Sequence, residues 1–413
     1  MTNPRFPDAV TGRRLHVGPL TSYVDTFAQM LLEQGYAIST IKDKLRLVAK
    51  FSQWLECHRM GIDALDKQKI AAFLGELHER ERRIYHGDIT TLKGLITQLV
   101  QNGVIPDPAA TRKPSALTQV EDEFARYLVQ ERGLSAATVN NYVPIIRRFL
   151  RTRFAQGPLN LAQLRAPDIT SFVLDQTRSL SPKRAQLMVT ALRSFLRFLL
   201  QRGELVVDLA AALPTVADWR LAEVPKYLDP AQVERLLQSC DQHTAVGQRD
   251  YTVLLLLARL GLRAGEVVHL RLEDVNWTAG LLTVQAKGGR WKRLPLPVDV
   301  GEAMALSLRT GRPPCHTRRV FVRMRAPRVG FASSVAIDSI VHRALQRAGL
   351  NPPLKGAHLL RHSLATRMLR SGASLVEIGQ LLGHRLPQTT EIYAKVDQSA
   401  LSALAQPWLG GEA

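Results

Sequence analysis

The sequence predicts a mainly α-helical protein with one small β-sheet towards its C-terminal end, an α+β chain of several domains. Three observations carry this. Apolar residues recur at helical spacing in long stretches such as residues 27–51 and 124–149. Two Pro-containing stretches, 102–118 and 213–230, read as joints. One segment, "GLLTVQAKGGRWKRLPLP" (280–297), has two β-rich runs around a Gly-Gly turn and reads as a hairpin.

The chain of 413 residues exceeds one ordinary core. The joints divide it into residues 1–105, 118–212 and 226–413. The first two parts look alike. "FAQMLLEQGYAISTIKDKLRLVAKF" (27–51) and "FARYLVQERGLSAATVNNYVPIIRRF" (124–149) align Phe27 with Phe124, Gly35 with Gly133, Thr40 with Thr138 and Phe51 with Phe149, with one residue inserted. Each reads as a helix, a glycine turn and a second amphipathic helix. They are either a duplication or two independent helix hairpins. The third part opens on "LDPAQVERLL", where Asp229 is placed to cap a helix, Pro230 to take its first turn and Gln232 to close a capping box.

Composition narrows the function. Lys and Arg number 55 against 36 Asp and Glu, a net charge of +19. Such an excess favours a polyanion partner, nucleic acid being the commonest. The second helical part is especially basic, with eleven Lys/Arg and three Asp/Glu from Asn140 to Glu204. Thr138, Asn141, Arg147, Arg148, Lys183 and Arg184 are its candidate contacts to backbone phosphates. Cys57, Cys240 and Cys315 have neither disulfide-framework nor metal-site spacing. The N-terminus lacks a secretory h-region and no apolar run reaches the ~20 residues of a membrane span, so a soluble, cytoplasmic protein is expected.

Four further segments carry side chains able to do chemistry. In "LGLRAGEVVHL", Arg263 is a fixed cation at a helix start; alone it reads as a structural ion pair with Glu266. In "AKGGRWKRLPL", Lys287 stands at the hairpin tip. In "KGAHLLRHSLATRMLRSG", His358 and Arg361 are three apart on a helix, on one face, where both can donate to one anion. In "LLGHRLPQTTEIYAKV", His384 precedes Tyr393 by nine residues. Read alone, Tyr393 could simply be a core tyrosine.

Taken in order, Arg263, Lys287, His358, Arg361, His384 and Tyr393 form a composite that resembles the tyrosine site-specific recombinases, the lambda-integrase (phage integrase) family. The resemblance covers 118–400 and is most specific over 226–396, and all six positions hold the expected residue. It implies a helical, SAM-like DNA-binding domain that forms a C-shaped clamp with the catalytic domain. It also implies that Tyr393 attacks a DNA phosphodiester, giving a 3′-phosphotyrosyl enzyme and a free 5′-hydroxyl. In that reading Arg263 and Arg361 neutralise the transition state, His358 and His384 add hydrogen bonds, His358 helps take the tyrosine proton and Lys287 protonates the leaving oxygen. The chain has no GxxxxGK[ST] loop and no carboxylate cluster suited to two metals, so no cofactor and no metal is expected. The resemblance implies double-stranded recombination sites as partner, a homotetramer on DNA with or without a second recombinase, and a C-terminal tail that docks on a neighbouring protomer or on its own domain. Residues 1–105 are the unusual part, read as an extra DNA-binding or contact module. The competing readings are a non-catalytic architectural DNA-binding protein and a type IB topoisomerase.

Overall fold

A computed structural model describes residues 15–80, 85–106, 115–155, 157–216, 224–286, 289–384 and 386–396. Lys287 and the tail from residue 397 therefore lie outside the described residues. By proximity the chain forms two compact units, residues 1–108 with 223–413, and residues 109–222.

Within the first unit, the N-terminal segment comprises α1 (Val24–Glu33), α2 (Ile38–Cys57), α3 (Lys67–Arg80) and α4 (His86–Gln101). Ile41, Leu45, Val48, Phe51 and Leu55 fall three to four apart on α2 and are buried, as an amphipathic helix requires. They pack with Phe27, Phe73, Leu92, Leu95 and Leu99 in a core of their own.

The second unit holds α5 (Ala116–Gln130), α6 (Ala136–Arg153), α7 (Ala166–Thr177) and α8 (Pro182–Gln201). Ser115 and Ser135 cap α5 and α6 by accepting from the backbone N–H of Thr118 and Thr138. Its core is aromatic: Phe124 meets Phe195 edge-on at 5.2 Å between ring centres. Gly35 and Gly133, aligned in the sequence, stand in the α1–α2 and α5–α6 turns respectively.

The C-terminal segment of the first unit begins with α9 (Pro230–Gln238). The Asp229 carboxylate accepts from Gln232 N at 2.8 Å and the Gln232 side chain accepts from Asp229 N at 3.1 Å, the capping box read from the sequence. The central helix α10 (Ala245–Leu260) is apolar on nearly every side from Val253 to Leu257, so it can only be stable buried. The short α11 (Ala264–His269) follows. A three-stranded antiparallel sheet comes next: β1 (Val275–Asn276), β2 (Leu281–Gln285) and β3 (Trp291–Pro295), in that order. The β2–β3 pair is the predicted hairpin, in register Leu282 with Leu294. The two-residue β1 was not predicted; it is too short to show alternation. Helices α12 (Val298–Leu306), α13 (Val335–Arg347), α14 (Ala357–Arg370) and α15 (Leu375–Leu382) complete the order, and α12, α14 and α9 pack on α10.

Candidate active site

The site is built where α10 ends. Gly261 takes a left-handed conformation, φ 59°, which side chains other than glycine adopt only under strain. A Cβ there would lie 2.7 Å from Leu382. The turn sends the chain back so that Arg263 becomes the residue before α11. Glu266, buried, accepts from Arg263 N at 2.8 Å and from the Arg263 guanidinium at 2.8 Å. The structural partner expected for Arg263 is therefore present, and it fixes the guanidinium rather than removing it: Arg263 also donates to Gly383 O at 3.4 Å.

Arg361 comes from α14 and is only 4 % exposed. One nitrogen donates to Gly261 O at 2.5 Å and another to Leu382 O at 2.6 Å. No carboxylate is among these contacts. Burial and the neighbouring Arg263 pull its pKa down to about 10, still well above neutral pH. His358, one helical turn earlier, stands at the exposed edge of the site. Burial first, then Arg361, holds its imidazole below the ordinary histidine value.

The last elements are α15 and the turn that follows. Ser374 and Glu377 close a capping box at the start of α15. Gly383 ends it in a left-handed conformation, φ 64°. His384 follows directly, its Nδ1 sharing a 2.8 Å hydrogen bond with the Thr390 hydroxyl. Burial and the nearby Arg361 and Arg263 push its pKa down to about 4, so the imidazole is neutral at physiological pH. Tyr393 sits in the short turn Glu391–Val396 and is 1 % exposed. Its ring packs with Leu364, Ala365, Ile378 and Leu382 and lies 6.4 Å from the His384 ring, nearly parallel to it. Burial raises its pKa to about 12, against the opposing pull of Arg361 and Arg263. Tyr393 is thus both a core tyrosine and a neighbour of the site.

Five of the six residues picked from the sequence converge here: Arg263, His358, Arg361, His384 and Tyr393. Lys287, the sixth, lies outside the described residues. Two residues that were not picked join them. His362 shares a 3.0 Å hydrogen bond between Nδ1 and the Tyr393 hydroxyl. It follows His358 by four residues, a spacing that, like the three that singled out Arg361, places it on the same helix face. Lys292 donates to Leu381 O. Its signal was strand alternation: on β3 the exposed Trp291 and Arg293 flank it, and it shares the inward face with buried Leu294.

The candidate DNA contacts divide differently. In the second unit, Asn141, Arg148, Lys183 and Arg184 are exposed. Thr138 is partly covered and its hydroxyl lies 3.1 Å from that of Ser135. Arg147 is paired to the buried carboxylate of Glu121, at 2.5 Å and 2.9 Å. That contact raises the guanidinium pKa and gives Arg147 a structural occupation the sequence did not reveal.

Residues 226–400 match the model of the phage integrase family, and residues 122–203 match the phage integrase N-terminal SAM-like domain. A putative integrase/recombinase, y4rA of Sinorhizobium fredii, is 44 % identical over 394 residues, covering 95 % of each chain. The tyrosine recombinase XerD of Listeria monocytogenes is 30 % identical over 285 residues, covering 68 % of this chain and 95 % of its own. Among solved structures, the XerH site-specific recombinase in a post-cleavage complex with its palindromic difH substrate has a TM-score of 0.56 at 20 % identity, covering 70 % of this chain and 84 % of that one. A lambda integrase dimer bound to a core site has a TM-score of 0.50 at 19 % identity, covering 71 % and 98 %. These two likenesses carry the fold, and the sequence relatives carry the family. The chain belongs to the phage integrase family of tyrosine recombinases, enzymes that break and rejoin DNA.

Proposed function

We propose that Tyr393 is the nucleophile of a site-specific strand exchange, and that Arg263 and Arg361 hold the scissile phosphate. The observation that carries this reading is the convergence of two guanidiniums on one cleft beside a tyrosine, with Glu266 the one carboxylate paired there among the described residues. They come from different elements; Arg361 donates to carbonyls alone while Arg263 is paired with Glu266, so the three groups together keep one net positive charge for a phosphate to meet.

In the step proposed, the Tyr393 oxygen forms a bond to phosphorus and the bond from phosphorus to the 5′ oxygen breaks. Charge on the non-bridging oxygens is met by Arg263 and Arg361, with His358 and His384 as further donors. The leaving oxygen takes its proton from Lys287. His362 replaces His358 as acceptor of the phenol proton in this reading, because it is the imidazole in contact with the phenol. A 5′-hydroxyl of a second strand reverses the step, and the phosphotyrosine conserves the bond energy throughout. Tyr393 is buried in the free protein, so residues 386–396 must shift before its oxygen can reach a phosphate.

The exposed Asn141, Arg148, Lys183 and Arg184 support residues 118–212 as a DNA-binding domain before a catalytic domain at 226–413. Residues 1–105 then form an additional contact or DNA-binding module. No helix among the described residues is long and apolar enough to cross a membrane. We place the protein in the cytoplasm, acting as a homotetramer that pairs two double-stranded recombination sites.

The test starts by enriching duplexes that bind Tyr393→Phe protein from a randomised library, then nicking them and incubating them with wild-type protein. A DNA-linked band on a denaturing gel, absent with Tyr393→Phe, is the expected result. Enrichment of a sequence without any such band would refute the assignment of the nucleophile.

A further inference from the structure

We propose that Lys292 is a positioning residue of the strand-cleavage reaction: together with Arg263 and Arg361 it clamps the three carbonyls at the C-terminal end of α15 and so sets where His384 and the tyrosine segment meet the phosphate. The inference rests on the reading of Arg263, Arg361, His384 and Tyr393 given above.

Three consecutive carbonyls are each held by a different cation from a different element. Leu381 O accepts from the Lys292 ammonium of β3. Leu382 O accepts from Arg361 of α14 at 2.6 Å, and Gly383 O accepts from Arg263, at the start of α11, at 3.4 Å. The last carbonyls of a helix have no partners within it and carry its partial negative charge, so they are natural acceptors for cations. The next residue, His384, is tied to Thr390, three residues before the tyrosine. The clamp is thus at the base of the segment that carries both groups. Gly383 lies beside the lysine: a Cβ there would be in ordinary contact with it, 3.5 Å from Lys292 Cδ and 3.6 Å from its Nζ, and it is the left-handed turn rather than space that calls for glycine.

The ammonium is held at a cost that packing does not require. Burial, then Arg361 and Arg263, pull its pKa down to about 8, and Glu266 is the carboxylate that opposes them. A methionine would fill similar space without that repulsion. An arriving phosphate would supply the missing negative charge, which ties the lysine to the loaded site rather than to the fold. Lys292 touches a carbonyl and is not assigned to the leaving oxygen.

The experiment measures single-turnover covalent complex formation by the full chain on the enriched nicked duplex. A second duplex has sulfur in place of the bridging 5′ oxygen, a leaving group that needs no proton donor. Lys292→Met should slow the reaction about 100-fold, the effect of a small misplacement, equally on both duplexes and with DNA affinity unchanged. Lys292→Gln, which keeps a neutral donor, should fall between. Hydrogen exchange should quicken at Gly383 and His384 while α10 and α14 stay protected. An unchanged rate, recovery on the sulfur duplex, or loss of protection throughout α10 and α14 would each overturn the proposal, the second by making Lys292 the proton donor and the third by making it a fold residue. Tyr393→Phe and Lys287→Met run beside it: covalent product from the first, or no recovery of the second on sulfur, would bring down the underlying site reading instead.

Discussion

Nδ1 of His362 lies 3.0 Å from the Tyr393 hydroxyl, joining α14 to the last turn across 31 residues of sequence. This bond and the surrounding apolar side chains keep the Tyr393 phenol protonated and covered in the free protein. Nitration by tetranitromethane requires an accessible phenolate. Tyr393 should therefore resist it in the free wild-type protein and react when His362→Ala removes the tether, as read by mass spectrometry of its peptide. Equal labelling of Tyr393 in both proteins would show that His362 does not restrain it.

Arg361 spans Gly261 O and Leu382 O, so its removal has two consequences. Arg361→Ala leaves two buried acceptors without partners, at about 1–3 kcal/mol for each, and should lower the chemical-denaturation midpoint of the catalytic segment. Arg361→Lys keeps the charge but cannot bridge both carbonyls or grip a phosphate with two parallel donors. Its cleavage rate should fall by about 10³-fold or more. A lysine variant with wild-type cleavage would mean that charge alone suffices.

His384 titrates at about 4 in the folded protein, below the histidine value of about 6.5 expected in the unfolded chain. Between these values the unfolded chain binds the proton and the folded one does not. Stability is therefore lost as pH falls from about 6.5 towards 4. Thermal unfolding midpoints of His384→Asn should decline less over that window than those of the wild type. Parallel declines would mean that the imidazole is not held neutral.

Arg147 and Arg148 are neighbours on α6 in different surroundings: Arg147 is paired with Glu121 and Arg148 is exposed. The buried Glu121 is 3 % exposed and paired to Arg147, whose outer edge is wet. Arg147→Ala should destabilise the second unit by about 1–3 kcal/mol by leaving that carboxylate without its partner. Arg148→Ala should leave stability unchanged and weaken DNA binding, lowering the slope of log affinity against log salt by about one. Denaturation curves and salt-dependent binding of both variants separate the two roles.

Much of the site was legible because its motifs are local. The Asp229–Gln232 capping box, the β2–β3 hairpin, the Arg263–Glu266 pair and the shared face of His358 and Arg361 all depend on spacings of three or four residues or on one turn. His362, four residues after His358, falls on the same helix face and could have been found. Lys292 could have been found from strand alternation, which places a lysine on the inward face of β3. The pairing of Arg147 with Glu121 was not legible, because Glu121 lies on another helix, 26 residues away.

The sequence by itself determined which residues could meet: caps, turns and helix faces are set by backbone geometry within a few residues. Only the tertiary structure decided which of them do. Arg361 reaches Gly261 O across 100 residues, Arg263 reaches Gly383 O across 120 and Lys292 reaches Leu381 O across 89. Those contacts follow from how α10, α14, α15 and the hairpin bury their apolar faces against one another. The physical reason is that burial is non-directional: it draws the elements together without naming partners, and the cations then take whichever helix-end carbonyls packing places in reach.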